Sequence, residues 1–190
     1  MLHEHDKLSY FAYLADRSPL RRFLRRVFIH DFARHFRGQV LDVGCGIGEF
    51  LRSYPTSIGV DYNQFVVAHC AKSGLQCCEA SALALPFAGA YFDGVLLSNI
   101  LEHLTNPRQA LEEASRVLKP GGKIVLSVPT EAAFPLDPTH VHMLRAPDIF
   151  ELARGCGLTI ASIYDFPFMM KWPGKYLYFC ELRAVLIKPI

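Results

Sequence analysis

The stretch VLDVGCGIGEFL, residues 40–51, is an apolar run that stops in three alternating glycines, Gly44, Gly46 and Gly48, and resumes with helical spacing. Glycines at such a place let the backbone turn sharply and approach a ligand with no side chain between. An ordinary tight strand-to-helix turn does not need three of them. Free N–H groups at the start of the following helix can face an electron-rich group. The pattern therefore predicts a strand-turn-helix unit with a ligand at the carboxyl edge of its strand.

The rest of the chain repeats the alternation. Strands are expected at Gln39–Val43, Ser57–Val60, Leu75–Cys78, Phe92–Ser98, Lys123–Val128, Leu158–Tyr164 and Tyr176–Lys188. Helices are expected from Glu49, over Gln64–Lys72, over Asn106–Leu118 with Pro120-Gly121-Gly122 as its stop, and over Ala146–Cys156. Strands alternating with helices predict an α/β fold: a Rossmann-like, doubly wound sheet of about seven mostly parallel strands with helices on both faces. A chain of 190 residues, 51% hydrophobic and 20% charged, is enough for one such domain and excludes global disorder.

No run of about 18 apolar residues occurs, which predicts no membrane-spanning helix. The opening residues MLHEHDKLSY carry charges where a secretory signal needs an apolar region. The expectation is a cytoplasmic protein whose six cysteines are free thiols.

Residues 1–38 hold eight Lys/Arg against four Asp/Glu, and residues 39–190 hold twelve against fourteen. The basic excess lies in Arg21, Arg22, Arg25, Arg26, Arg34 and Arg37, interleaved with Leu20, Phe23, Leu24, Val27, Phe28, Phe32 and Phe36. That spacing predicts an amphipathic helix docked on the body with a solvated basic face. A net charge of +2 over the whole chain gives no strong nucleic-acid signal.

The glycine loop discriminates between ligands. A dinucleotide fingerprint, G-x-G-x-x-G, needs a third glycine where this chain has Glu49, and an anion there opposes a pyrophosphate. A nucleoside without phosphates suits the loop better. Asp61, at the end of the second strand, can accept hydrogen bonds from both ribose hydroxyls.

Four segments carry a resemblance: VLDVGCGIGEFL at 40–51, GVDYN at 59–63, ALALPFAGAYFDGVLLSNILEHL at 82–104 and RVLKPGGKIVLSVP at 116–129. In this order they resemble class I S-adenosylmethionine-dependent methyltransferases of the type 11 methyltransferase domain family. The resemblance implies that Asp42, Gly44, Cys45 and Gly46 frame the methionine end of the cofactor. Asp61 would hold the ribose, Tyr62 would pack on the adenine, and Ser81, Ala82 and Leu83 would border its edge. Asn99 would sit near the methionine moiety and the transferable methyl. Many relatives carry an acidic residue at the position of Ser81, whose neutral hydroxyl is a weaker acceptor. The whole chain then reads as one methyltransferase domain: an N-terminal helical cap at 1–38, a cofactor-binding core at 39–129 and an acceptor-side part at 130–190.

The acceptor side is expected where the chain leaves strands four and five. His103, in Leu101-Glu102-His103-Leu104, and His140, in Asp137-Pro138-Thr139-His140-Val141-His142, are the candidate catalytic residues, with His140 the first candidate for proton acceptance. The trio Asp137, His140 and His142 is weighed as a metal site and set aside, so no metal is assigned. An aromatic segment, Phe166–Phe179, together with residues 1–20 and the 137–142 loop, is expected to cover a small-molecule acceptor, and an apolar cover would suit a hydrophobic one. The function expected is in-line methyl transfer from S-adenosylmethionine, leaving S-adenosylhomocysteine. The alternative is a non-catalytic module that binds the cofactor and supports a partner protein.

Overall fold

The computed structural model describes residues 4–16, 19–167 and 180–190. Two helices, α1 (Glu4–Ala15) and α2 (Pro19–Ala33), precede β1 (Val40–Val43). Then come α3 (Glu49–Ser53), β2 (Ser57–Asp61), α4 (Gln64–Lys72), β3 (Cys77–Glu79), β4 (Phe92–Ser98), α5 (Pro107–Val117) and β5 (Leu118–Pro129). The chain continues through α6 (Ala146–Gly155), β6 (Thr159–Phe166) and β7 (Glu181–Ile187). The sheet order is β3-β2-β1-β4-β5-β7-β6. The first five strands are mutually parallel, and β7 runs antiparallel to both β5 and β6.

Both faces of the sheet are covered, because alternate residues of its central strands enter different cores. Leu41, Val43, Val95, Leu97, Ile124 and Leu126 pack with α5 and α6, against Leu111, Ala114 and Ile149. Val40, Leu96, Val125 and Val185 pack on the opposite face with Phe32, Phe36 and Phe50 of the α2–α3 side. Strands buried on both faces need continuous apolar sequence, which Phe92–Ser98 and Lys123–Val128 supply. Helix α5 starts well: Pro107 follows Asn106, whose side chain accepts the Gln109 N–H at 3.2 Å.

The observed elements shift several expectations. β5 begins at Leu118, not Lys123: α5 already stops at Val117, and Pro120-Gly121-Gly122, expected as its stop, lies within the strand, with the Gly121 N–H donating to Lys188 O at 2.8 Å. The last strand is Glu181–Ile187, and the expected portion at 176–179 lies outside the described residues. The inward face of α2 is Phe28, Ile29 and Phe32, while Val27 is about half exposed. The side chains of Leu20 to Leu24 are outside the described set, as are residues 168–179 of the aromatic segment. Phe166 at its start is described, and packs edge-on against Phe28 with ring centroids 5.0 Å apart.

Candidate active site

The sheet order reverses between β1 and β4, and the carboxyl ends of those strands frame the crevice where an open α/β sheet takes its ligand. The glycine loop forms one wall. Gly44 sits at φ 71°, and a Cβ there would strike Ile100 Cδ1 at 2.4 Å, so no other residue fits without a shift. The Gly44 and Cys45 N–H groups both donate to Val60 O, at 2.8 and 3.1 Å, folding the loop over the end of β2.

Asp61 closes that fold. Its Oδ2 accepts the Gly46 N–H at 3.1 Å and its Oδ1 the Asn63 N–H at 2.9 Å. Each oxygen keeps a lone pair for a further donor. Burial pushes the Asp61 carboxyl above its ordinary value, while the two backbone N–H groups pull it down. Asn63 caps α4 by accepting the Phe65 N–H at 3.0 Å and donates from Nδ2 to Lys7 O at 2.8 Å. Lys7 in turn donates from Nζ to Tyr62 O at 2.9 Å. α1 is thereby tied to the end of β2, and its Tyr10, Phe11 and Leu14 pack around Cys45, Leu51, Val66 and Cys70. The N-terminal helix covers the glycine-loop side of the crevice.

The other expected cofactor residues fall along the same edge. Asp42 is buried, and its carboxyl is pushed up to about 7, chiefly by burial, with Arg25 opposing and Asp61 adding. Tyr62 is 42% exposed, with the Lys7 ammonium 5.1 Å from its ring centre. The Ser81 hydroxyl accepts the Leu83 N–H at 3.1 Å, and Gln109 Nε2 holds Leu83 O at 2.9 Å. Ala82, between them, is buried. Cys45 departs from its expected part: its thiol points inward, 3.3 Å from the Cys77 thiol, leaving only its backbone in the loop.

Asn99 follows β4 with φ 51°, a conformation in which asparagine is enriched. Its Nδ2 donates to Glu181 Oε1 at 2.7 Å. Glu181 Oε2 accepts two bonds from Arg183, at 3.1 and 3.0 Å, and Arg183 is fully buried. Sequence reasoning found Asn99 but missed Glu181 and Arg183. Their signal was two charges in a strand whose other residues are apolar, Glu-Leu-Arg-Ala-Val-Leu-Ile.

On the acceptor side the structure brings His103 and His140 together, ring centroids 4.8 Å apart. His142 turns away to a groove of about 670 Å³ between α5 and α6, also lined by Arg108 and Leu152. The Glu102 backbone carbonyl accepts both the Val141 and His142 N–H groups, at 2.8 and 3.1 Å, so the 137–142 loop is stitched to the turn after β4. Glu102 itself was not singled out from the sequence. It is fully buried, and among the described residues its carboxylate oxygens are the buried side-chain atoms with no hydrogen-bond partner.

S-adenosylmethionine fits this edge by the chemistry of its donors and acceptors. The Asp61 oxygens remain open to ribose hydroxyls, a buried carboxyl at Asp42 suits a cationic amino group, and the glycine loop leaves its backbone uncovered. Glu49, which stands where a dinucleotide fingerprint has its third glycine, starts α3 and is paired with Arg25 at 3.1 Å.

Comparisons with known proteins agree with this geometry. Residues 41–126 match the methyltransferase domain family. A probable S-adenosylmethionine-dependent methyltransferase of Mycolicibacterium smegmatis is 31% identical over 64% of this chain and 52% of its own. A demethylmenaquinone methyltransferase of Renibacterium salmoninarum is 31% identical over 72% of this chain and 61% of its own. The crystal structure of a SAM-dependent methyltransferase from Archaeoglobus fulgidus superposes with a TM-score of 0.70 at 21% identity, covering 88% of this chain and 94% of its own. The first of these relatives is about twice as long as the segment it shares with this chain. Motif order, crevice geometry and sequence similarity converge: residues 41–126 carry a methyltransferase domain of the class I S-adenosylmethionine-dependent type.

Proposed function

We propose that this chain transfers a methyl group from S-adenosylmethionine to a small-molecule acceptor that enters beside Asn99, His103 and the 130–145 segment. The observation that carries the reading is Asp61: a carboxylate at the switch point, held by two backbone amides and still able to accept two hydroxyls. The cofactor supplies an activated sulfonium methyl. The protein supplies position and dryness. Asp42, the Gly44–Gly46 backbone, Asp61, Tyr62, Ser81–Leu83 and Asn99 bind and orient the cofactor. His103 and His140 serve the acceptor, and His140 Nε2 is the atom that faces an acceptor hydroxyl.

Charge supports a small acceptor over RNA. Arg25 is paired with Glu49 at 3.1 Å and Arg34 with Asp31 at 2.8 Å, so part of the basic face of α2 is neutralised within the chain. The similarity to a demethylmenaquinone methyltransferase adds weight to an apolar ring acceptor. Release of S-adenosylhomocysteine is the test, measured with quinols, phenols, amines, thiols and bulk tRNA as separate acceptors. Turnover with a small molecule supports the proposal. Turnover with tRNA alone overturns the acceptor class. Cofactor binding with no release for any acceptor supports the non-catalytic module instead.

A further inference from the structure

Glu102 poses a problem in energetics. A carboxylate with no exposed surface and no hydrogen-bond partner keeps its charge only with a cation beside it, and otherwise takes up a proton. Folded proteins keep such groups where something else satisfies them. Its neighbours are two imidazoles, and one ligand atom from each of Glu102, His103 and His140 lies within 4.8 Å of the others. Imidazole nitrogens and carboxylate oxygens bind a common ion at roughly 2.0–2.2 Å, so three ligands around it stand about 3–4 Å from one another. Side-chain rotations that draw the three atoms together by up to roughly 1–2 Å complete such a set.

The tautomers of both imidazoles follow from their partners. His140 Nδ1 contacts Phe134 O at 2.7 Å, and a carbonyl only accepts, so Nδ1 carries the proton. The Thr139 hydroxyl donates its hydrogen to Asp137 Oδ1 at 2.6 Å. It can therefore only accept from His103 Nδ1, 3.0 Å away, and that nitrogen also carries the proton. Each ring is left with an unprotonated Nε2. Burial holds His103 below its ordinary pKa. A backbone carbonyl on one ring and a Thr139–Asp137 relay on the other are the supports that fix metal-binding histidines.

We propose that Glu102, His103 and His140 form a binding site for a divalent first-row transition-metal ion, which presents open positions to an oxygen of the methyl acceptor. Two imidazoles and one carboxylate suit Zn²⁺, Mn²⁺ or Fe²⁺ better than Mg²⁺ or Ca²⁺, which prefer oxygen alone. The inference rests on the acceptor-side reading given above and deepens it. His140 then meets the acceptor through the ion, which favours acceptors with a ligating oxygen such as phenols and quinols.

The experiment is titration of the chelator-treated protein with Mn²⁺, followed by electron paramagnetic resonance. Mn²⁺ is chosen because the thiols of Cys45, Cys70 and Cys77 also cluster within 4.8 Å and would take a softer ion. One ion per chain is expected. Glu102→Gln, which keeps shape, and His103→Gln, at a part-exposed position, should each weaken it about tenfold or more. Cys77→Ser should leave it unchanged. No stoichiometric binding by the wild type overturns the proposal, as does binding that survives both substitutions or disappears with Cys77→Ser. S-adenosylhomocysteine affinity, measured on the same samples, separates the two readings: its absence in the wild type defeats the methyltransferase proposal while leaving the ion site standing.

Discussion

Arg183 donates from Nη1 to Asp31 Oδ2 across 2.6 Å, joining β7 to α2. The same guanidinium lies 3.8 Å from the Phe32 ring centre and 3.7 Å from that of Phe166, and bonds Glu181, which holds Asn99. A cation fully out of water is tolerable only when every face is answered in this way. Arg183→Met removes the cation that joins the two carboxylates, leaving Asp31 to Arg34 and Tyr164 and Glu181 to Asn99, and stability should fall by up to about 3–5 kcal/mol. Urea unfolding measures this. A loss under about 1 kcal/mol would mean that the two carboxylates find other donors.

Asp61→Ala removes an acceptor for two ribose hydroxyls and releases the Gly46 N–H. Hydrogen bonds to a charged group are worth about 1.5–3 kcal/mol each, so S-adenosylhomocysteine affinity should drop at least about tenfold. Calorimetry showing unchanged affinity would place the ribose elsewhere. NAD should not bind detectably to the wild type.

Ser81→Asp should tighten cofactor binding a few-fold. The new carboxylate can still accept the Leu83 N–H, as the hydroxyl does at 3.1 Å, and has capacity left for the adenine amino group. Weaker binding would show that the side chain faces something other than that amino group.

Asp42 links stability and binding to pH in opposite directions. Its folded carboxyl titrates near 7, against about 3.9 when unfolded. The folded state therefore binds the extra proton between those values. This contribution to stability is complete below about pH 4 and is lost as pH rises through 7. Thermal melts of the ligand-free protein should show that decline, and Asp42→Asn should flatten it. A bound amino cation favours the ionised carboxyl, so S-adenosylhomocysteine binding should strengthen as pH rises through 7. Identical affinity at pH 6 and pH 8 would sever Asp42 from the methionine end.

His140→Ala should slow transfer to a hydroxyl acceptor strongly, and transfer to a neutral amine or a thiolate weakly. Nδ1 is committed to Phe134 O at 2.7 Å, so only the other nitrogen is left to serve the acceptor, directly or through the ion. Equal rates of transfer to a phenol before and after the substitution would remove His140 from the chemistry.

What could be read from the sequence was what neighbours in the chain decide. The glycine loop, the strand-ending Asp61 and the helix start at Asn106-Pro107 are local patterns, and each stands where its spacing placed it. The Arg183–Asp31 pair and the Asn99–Glu181 bond are not local, since strand pairing brings their partners together from distant segments. Glu102 escaped because a carboxylate between Leu101 and His103 at a turn reads as an exposed charge, and only the fold shows it has none of its surface in water. The inward turn of the Cys45 thiol was hidden for a related reason: loop residues alternate in direction, and Cys77 and Cys70 lie behind it.

The placement of β7 between β5 and β6 has a consequence for biosynthesis. As the chain emerges from the ribosome, the outer edge of β5 has no neighbour until β7, the later of the two remaining strands, has been made. The first five strands must wait with a row of unpaired backbone N–H and C=O groups open to association with other chains. The same strand delivers Arg183, so the edge closes and the buried cation meets Asp31 in a single late event. Slowing translation ahead of β7, or cutting the nascent chain there, should yield a species that recruits chaperones and binds no cofactor at Asn99.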